Sequence, residues 1–351
     1  MINVAIIGAG IGEKHLNGFL ELPDTFSVRY VCDLDEARGR GLLENLPEIR
    51  FTTNMADVLA DPEIDIVDIC LPPHLHFSSC IDALEAGKKV ICEKPLVASL
   101  READLLAEKV DETAGFLSPV FQYRFGLGAA QLRALIDAGL TGKFFAGTLE
   151  THWDRGDDYY NVPWRGTWEG EQGGAILGHA IHIHDLLTNL LGPIDRVFAD
   201  LATRVNDIEV EDCAALNIRM KSGALITSSV TLGCAENMSR MRLMFEGFTV
   251  ESDHEPYAIA NNAWKFIARE PTQQSDIERV LADVGPVLSG YTGMFDALAR
   301  TLDGEDAPMV TLVDGRQSLE FVSAVYESGR TGLPVSMPLG PDNMLYNGWL
   351  P

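Results

Sequence analysis

Short apolar runs alternate with stretches of helical periodicity over the first third of the chain. The runs are Val4-Ala5-Ile6-Ile7, Val28-Arg29-Tyr30-Val31, Ile64 to Ile69, Val90-Ile91 and Leu117 to Phe121. Strands that each hand over to a helix pair side by side in parallel, so this alternation predicts a doubly wound α/β sheet. The punctuation agrees. Asp61-Pro62 precedes one strand, Ala86-Gly87 closes the helix before another, and Ser99 with Glu102 forms a capping box that opens the helix after Pro95. The pattern changes near residue 120, which predicts one domain over 1–120 and a second over 121–351.

Beyond the boundary the periodicity predicts a helix at about 126–138 and a strand at about 143–152. A long Trp- and Gly-rich loop follows, and then a helix from about 175 to 191 ended by Gly192-Pro193. Ala214 to Met220 and Ala224 to Thr231 flank Lys221-Ser222-Gly223 as a hairpin, and Met241 to Val250 reads as another strand pair. The second domain is therefore expected to be mixed α/β with an open, largely antiparallel sheet. Residues 255–290 carry no clear period, and helices at about 291–302 and 313–328 end the chain.

Composition narrows the function. A formal charge of −25 disfavours phosphate backbones and anionic membranes, both of which need clustered Lys and Arg, so neither nucleic acid nor a membrane is an expected partner. The six cysteines, Cys32, Cys70, Cys80, Cys92, Cys213 and Cys234, form no Cys-x-x-Cys pair and read as reduced core residues. The first strand begins almost at Met1 and no apolar run reaches the ~18 residues of a membrane span, so a cytoplasmic location is expected.

Gly8-Ala9-Gly10-Ile11-Gly12 follows the first strand and opens a helix, where small residues let backbone N–H groups approach a pyrophosphate. The third glycine comes one residue earlier than in G-x-G-x-x-G. Asp33 ends the second strand about 20 residues on, where a carboxylate accepts the ribose hydroxyls of NAD and repels a 2′-phosphate. Arg38 lies within reach of that position, so NADP stays open as a second cofactor.

Leu71-Pro72-Pro73-His74-Leu75-His76 and Ala86-Gly87-Lys88-Lys89-Val90-Ile91-Cys92-Glu93-Lys94-Pro95 resemble the T-P-N-x-x-H and A-G-K-H-V-x-x-E-K-P signatures of the glucose-fructose oxidoreductase / inositol dehydrogenase (Gfo/Idh/MocA) family. Gly173-Gly174 through His182-Ile183-His184-Asp185 is similar to the family's G-G-G-x-L-x-D-x-G-x-H-x-x-D helix, and Ala324 to Gly332 to its closing helix. The resemblance implies an N-terminal Rossmann domain and a C-terminal α/β domain whose sheet pairs copies into a homodimer or homotetramer. It implies that Lys94 binds the reacting oxygen beside the nicotinamide. Pro72, His74 and Glu93 would lie along the nicotinamide ribose, and His15 near the diphosphate. His182 matches the catalytic histidine, whose unperturbed pKa of ~6.5 suits proton exchange in either direction.

Two positions depart from the family. Gly178 stands where the family has aspartate or asparagine, and Ala180 where it has glycine. His179, three residues before His182, is the candidate replacement for the missing polar group. His179, His182, His184 and Asp185 also invite a zinc reading, but His184 points away from His182 on a helix and no pair elsewhere has ligand spacing, so no metal is expected.

Trp153-Asp154-Arg155, Tyr159-Tyr160 and Trp164-Arg165-Gly166-Thr167-Trp168 resemble a Y-Y…W-R-G-T-W subgroup of the family. Aromatic faces suit the C–H surface of a sugar or cyclitol, with polar side chains for its hydroxyls. Tyr160, Trp164, Arg165, Arg124 and Asp185 are the expected substrate residues. Together these features predict an NAD(P)-dependent dehydrogenase moving a hydride between the cofactor and a CH–OH or keto carbon of a sugar or cyclitol. An NAD-dependent glycosidase and a non-catalytic cofactor-binding regulator are the alternatives, and retention of both Lys94 and His182 favours catalysis.

Overall fold

The computed structural model describes residues 1–351 as two compact units. The first comprises Met1–Val120 together with Met294–Leu319. Its six-stranded sheet has the order β3-β2-β1-β4-β5-β6, every pair parallel, from β1 (Ile2–Ile7), β2 (Phe26–Cys32), β3 (Arg50–Thr52), β4 (Ile66–Ile69), β5 (Lys89–Cys92) and β6 (Leu117–Pro119). β4 is buried along its whole length and β1 over its last four residues, as central strands covered on both faces must be. The strand order reverses between β1 and β4. The crevice outside their C-terminal ends is where such sheets take ligands, and Gly8–Gly12 and Leu71–His76 are the segments leaving those two strands.

A single break at residue 120 misses the return of the chain to this unit. Phe295 stacks on Phe19 at 3.8 Å between ring centroids, Ser118 Oγ donates to Val310 O (2.8 Å), and Arg316 pairs with Asp104 (2.5 Å). The segment carries its own helical period, so nothing local distinguishes it from the helices of the second unit.

The second unit holds Phe121–Gly293 and Glu320–Pro351. Its eight-stranded sheet is built from β7 (Phe144–Asp154), β8 (Ile194–Ala202), β9 (Cys213–Met220), β10 (Leu225–Thr231), β11 (Gly233–Phe245), β12 (Phe248–Glu251), β13 (Lys265–Ala268) and β14 (Val335–Ser336). The order is β13-β12-β11-β7-β10-β9-β8-β14, and only β7 with β10 runs parallel. One face is apolar and packs beneath the helix Ile181–Leu191, where His184 Nε2 meets Ser228 Oγ at 2.9 Å. The other carries Thr148, Glu150, Thr227, Ser229 and Arg242, the period-2 alternation of a sheet covered on one side.

Two stretches differ from the sequence reading. The helix expected over 175–191 is a π-helical turn, Ile176–Ala180, running into the α-helix Ile181–Leu191. Within 255–290, β13 pairs with β12 at the sheet edge and a helix forms over Gln274–Ala282. That helix exposes most of its residues and buries Ile277, so its apolar pattern is thin.

Candidate functional site

The glycine loop is shaped for close approach. Gly8 has φ +105°, and a Cβ there would stand 2.4 Å from Cys70 O, so only glycine fits between β1 and the end of β4. At Gly10 a Cβ would meet nothing within 4 Å, which leaves the loop clear for a diphosphate on the first turn of the helix Gly12–Leu20. Ile11 at that turn is exposed. Asp33 Oδ2 accepts the Ala9 N–H (2.6 Å) and its Oδ1 the Asp35 N–H (2.7 Å), which ties the acid at the end of β2 to the loop. Arg38 reaches back over both acids, 3.9 Å from Asp33 and 3.3 Å from Asp35. The residues present therefore fit a dinucleotide with an unmodified ribose.

Behind this loop lies an arrangement that sequence reasoning missed. His15 is fully buried between two carboxylates, with Nδ1 2.8 Å from Asp68 Oδ2 and Nε2 3.1 Å from Glu93 Oε1. Burial alone would push its pKa down, but the Asp68 charge and hydrogen bond raise it well above the ordinary value. Its ring is thus committed inside the core and braces Glu93, rather than being turned out toward the loop. Glu93 in turn accepts the Lys94 N–H at Oε2 (2.9 Å). Asp68 sits in an apolar strand, Ile66–Ile69, where an acid is a legible anomaly. His15, Asp68 and Cys70 bring their donor atoms within 4.8 Å of one another, but both His15 nitrogens already face carboxylates.

His76 performs a similar office on the other side. It is buried, with Nδ1 2.7 Å from Pro95 O and Nε2 2.8 Å from Leu71 O, and burial lowers its pKa. The Leu71–His76 turn and the Glu93-Lys94-Pro95 turn are thereby pinned together. Pro72 and Lys94 are half-buried and His74 is exposed.

In the second unit Glu211 clamps the start of the His182 helix. Its carboxylate accepts the N–H of Gly174 (3.1 Å) and Ile176 (3.0 Å) and the Tyr326 hydroxyl (3.1 Å), while its backbone carbonyl accepts the Ala175 N–H (2.7 Å). A Cβ at Gly174 would fall 1.9 Å from that carbonyl. Burial pushes the Glu211 carboxyl up to about 7.

His182 and His179 pack against different rings. His182 stacks on Tyr123 (4.6 Å, 18°) and meets Phe121 edge-on at 6.3 Å. His179 lies 5.1 Å from Trp153 and 5.6 Å from Tyr159. The π turn holds more residues per turn than an α-helix, so the three-residue spacing does not put the two rings on one stripe. At Gly178 a Cβ would meet only Glu171 Oε1, at 3.8 Å.

The expected substrate residues divide. Arg124 and Asp185 are buried and joined through two short hydrogen bonds (2.8 and 2.6 Å), an ion pair that fixes the Gln122–Arg124 turn to the His182 helix. Arg165 lies over Tyr159 (3.9 Å) and Trp164 (4.5 Å) and faces Glu171 at 3.7 Å, and Tyr160 packs edge-on to Tyr159. Arg155, which is not among the expected substrate residues, lies on the same wall over Trp153 and Tyr159. His184, the remaining histidine of this helix, packs against Phe321, and burial pushes its pKa down to about 3.

Residues 2–121 match the family model described as the oxidoreductase family with an NAD-binding Rossmann fold, and residues 129–250 match the GFO/IDH/MocA C-terminal domain. The chain belongs to the GFO/IDH/MocA family. This GFO/IDH/MocA protein is 31% identical over 214 residues to levoglucosan dehydrogenase of Pseudarthrobacter phenanthrenivorans, a match covering 58% of this chain and little more than half, 54%, of that protein. It is 29% identical over 350 residues to scyllo-inositol 2-dehydrogenase (NAD(+)) of Bacillus subtilis, covering 96% of each. Among solved structures, the WlbA dehydrogenase from Bordetella pertussis, in complex with NADH and UDP-GlcNAcA, superposes with a TM-score of 0.84 at 26% identity, covering 97% of this chain and 98% of that one. The first unit thus carries the family's NAD-binding Rossmann fold. No helix is long and apolar enough to cross a membrane.

Proposed function

We propose that this protein is a dehydrogenase that oxidises a CH–OH carbon of a sugar or cyclitol, or reduces the corresponding ketone. NAD, when bound, supplies the two-electron acceptor. The observation that supports the reading most is that Lys94 and His182, the two groups the chemistry needs, are each carried on a braced segment. His15, Asp68, Glu93 and His76 hold the turn of Lys94, and Glu211 with the Arg124–Asp185 pair holds the helix of His182. In this reading His182 takes the hydroxyl proton in the oxidative direction and returns it in the reverse one. The Lys94 ammonium holds the reacting oxygen and stabilises negative charge as it develops. His179 is the third polar group and substitutes for the carboxylate that Gly178 lacks. Asp33 selects NAD over NADP, and a homodimer or homotetramer forms through the polar face of the eight-stranded sheet.

The test is incubation of the pure protein and NAD with free sugars, inositols and aryl glycosides, following NADH absorbance and aryl release separately. NADH formation with a sugar or inositol is the expected result. Aryl release without net NADH would replace the reading with a glycosidase. Tight NAD binding with neither signal would replace it with a regulator.

A further inference from the structure

Arg155 stands at the centre of the aromatic wall and differs in its company from the other arginine there. Its guanidinium carbon lies 5.0 Å from the ring centroid of Trp153, 5.1 Å from Tyr159 and 5.6 Å from Tyr257. One terminal nitrogen donates to Asp154 O (2.6 Å) and the other to the Tyr257 hydroxyl, while the buried Nε has no hydrogen-bond partner. None of these partners carries a charge. Arg165, by contrast, faces the Glu171 carboxylate. In a chain with 52 acids against 27 bases, and with Asp154, Asp157 and Asp158 beside it in sequence, a guanidinium without a carboxylate is unexpected on composition alone.

The wall around it is joined by hydrogen bonds and leads to both histidines. Trp153 is buried and donates through Nε1 to Ser239 Oγ (3.1 Å), Ser239 donates to Pro256 O (2.8 Å), and the Tyr123 hydroxyl donates to the same carbonyl (2.6 Å). The ring of Trp153 contacts His179, and that of Tyr123 stacks on His182. A cation held this way keeps its donors preorganised and its charge uncompensated. Planar guanidinium donors match the two oxygens of a carboxylate or phosphate, and the charge on both partners strengthens such a pair.

Resting on the dehydrogenase reading above, we propose that Arg155 is a specificity-determining residue that recognises an anionic oxygen group, a carboxylate or phosphate ester, on the sugar or cyclitol substrate. The net negative charge of the protein makes a local cation all the more necessary, because the global field disfavours approach of an anion. Neutral sugars offer this cation only hydroxyl acceptors and gain less than an anion does, and discrimination between anionic and neutral substrates follows.

Wild-type protein, R155Q and R155K, each checked for folding by circular dichroism, are compared with NAD on glucuronate, glucose 6-phosphate, glucose and myo-inositol. The wild type is expected to show kcat/KM for one of the two anionic sugars about tenfold or more above the neutral ones, carried mainly by KM. R155Q should collapse that ratio and R155K retain part of it. Which anion wins separates carboxylate from phosphate. Calorimetry of glucuronate and glucose 6-phosphate with the NAD-loaded wild type and R155K reads binding without turnover and covers a misfolded R155Q. Oxidation of neutral sugars alone, or an equal loss on all four sugars in R155Q, overturns the anion proposal and leaves the dehydrogenase reading standing. Anion binding weakened in R155K, with no sugar oxidised, upholds Arg155 and counts against the dehydrogenase. Failure of both anions to bind the wild type overturns the proposal.

Discussion

At the end of β2 Asp33 holds the glycine loop through Ala9, and Arg38 is drawn onto Asp33 and Asp35, the arrangement on which the proposed choice of NAD over NADP rests. A 2′-phosphate would meet that acid directly. Asp33→Ala should therefore narrow the preference for NAD over NADP, measured as the ratio of dissociation constants by calorimetry. Tighter NADP binding by the wild type would contradict the assignment. Lys94→Ala and His182→Ala should each lower turnover by about 10²- to 10⁴-fold and leave NAD binding largely intact. Folded variants of both with near-normal turnover would remove the acid–base assignment. His179→Ala is expected to cost about tenfold in turnover and to alter the pH profile, at the low end because its ring sits against Trp153 and Tyr159. An unchanged pH profile would leave His179 as wall packing.

Two elements depend on buried ionisable groups, with opposite consequences for pH. His15 between Asp68 and Glu93 has a raised pKa, so its contribution to stability is full below the unfolded value of about 6.5 and is lost as pH rises through the higher folded value. His15→Gln leaves two buried carboxylates facing each other without the imidazolium. It should cost about 3–5 kcal/mol in urea unfolding near neutral pH. A loss below about 1 kcal/mol would show that the pair is already neutralised by protonation. For Glu211 the folded pKa of about 7 exceeds the ordinary 4.5, so the native state binds the extra proton. Stability from this group is present below about 4.5 and declines as pH rises toward 7. Glu211→Gln keeps one of the two oxygens that accept the Gly174 and Ile176 N–H groups and costs the other bond at every pH, so the difference in melting temperature between variant and wild type should still move in the variant's favour across that window. A difference that does not change with pH would contradict the assignment.

At the scale of the molecule the return of Met294–Leu319 to the first unit has the largest consequence. Phe295 is fully buried against Phe19, and removing such an aromatic contact costs about 3–5 kcal/mol, a large share of the stability of one domain. Residues 1–120 alone should be soluble poorly or unfold well below the full chain. The same segment joined through a flexible linker to 294–319 should recover a cooperative transition by calorimetry and bind NAD. A cooperative, NAD-binding 1–120 fragment would show the returning helix to be dispensable.

What the sequence by itself determined is local: the apolar runs of β1, β4 and β5, the glycine loop, the Ser99 N-cap whose side chain accepts the Glu102 N–H (3.1 Å), and the hairpin flanking Gly223. Each is written in a few adjacent residues, because period, capping and turn chemistry act over that distance. Motif spacing likewise marked Lys94 and His182. The partnerships were decided only by the tertiary structure. His15 meets Asp68 and Glu93 across separations of 53 and 78 residues, Arg124 meets Asp185 across 61, and Glu211 reaches back to Gly174 across 37. Of the residues read as facing cofactor or substrate, His15 is held between Asp68 and Glu93, and Arg124 and Asp185 pair with each other. Arg155 was left with rings and carbonyl oxygen where composition would have supplied an acid. Packing resolves such choices because a buried charge must find its counter-charge wherever the chain brings one, and no local pattern records that distance.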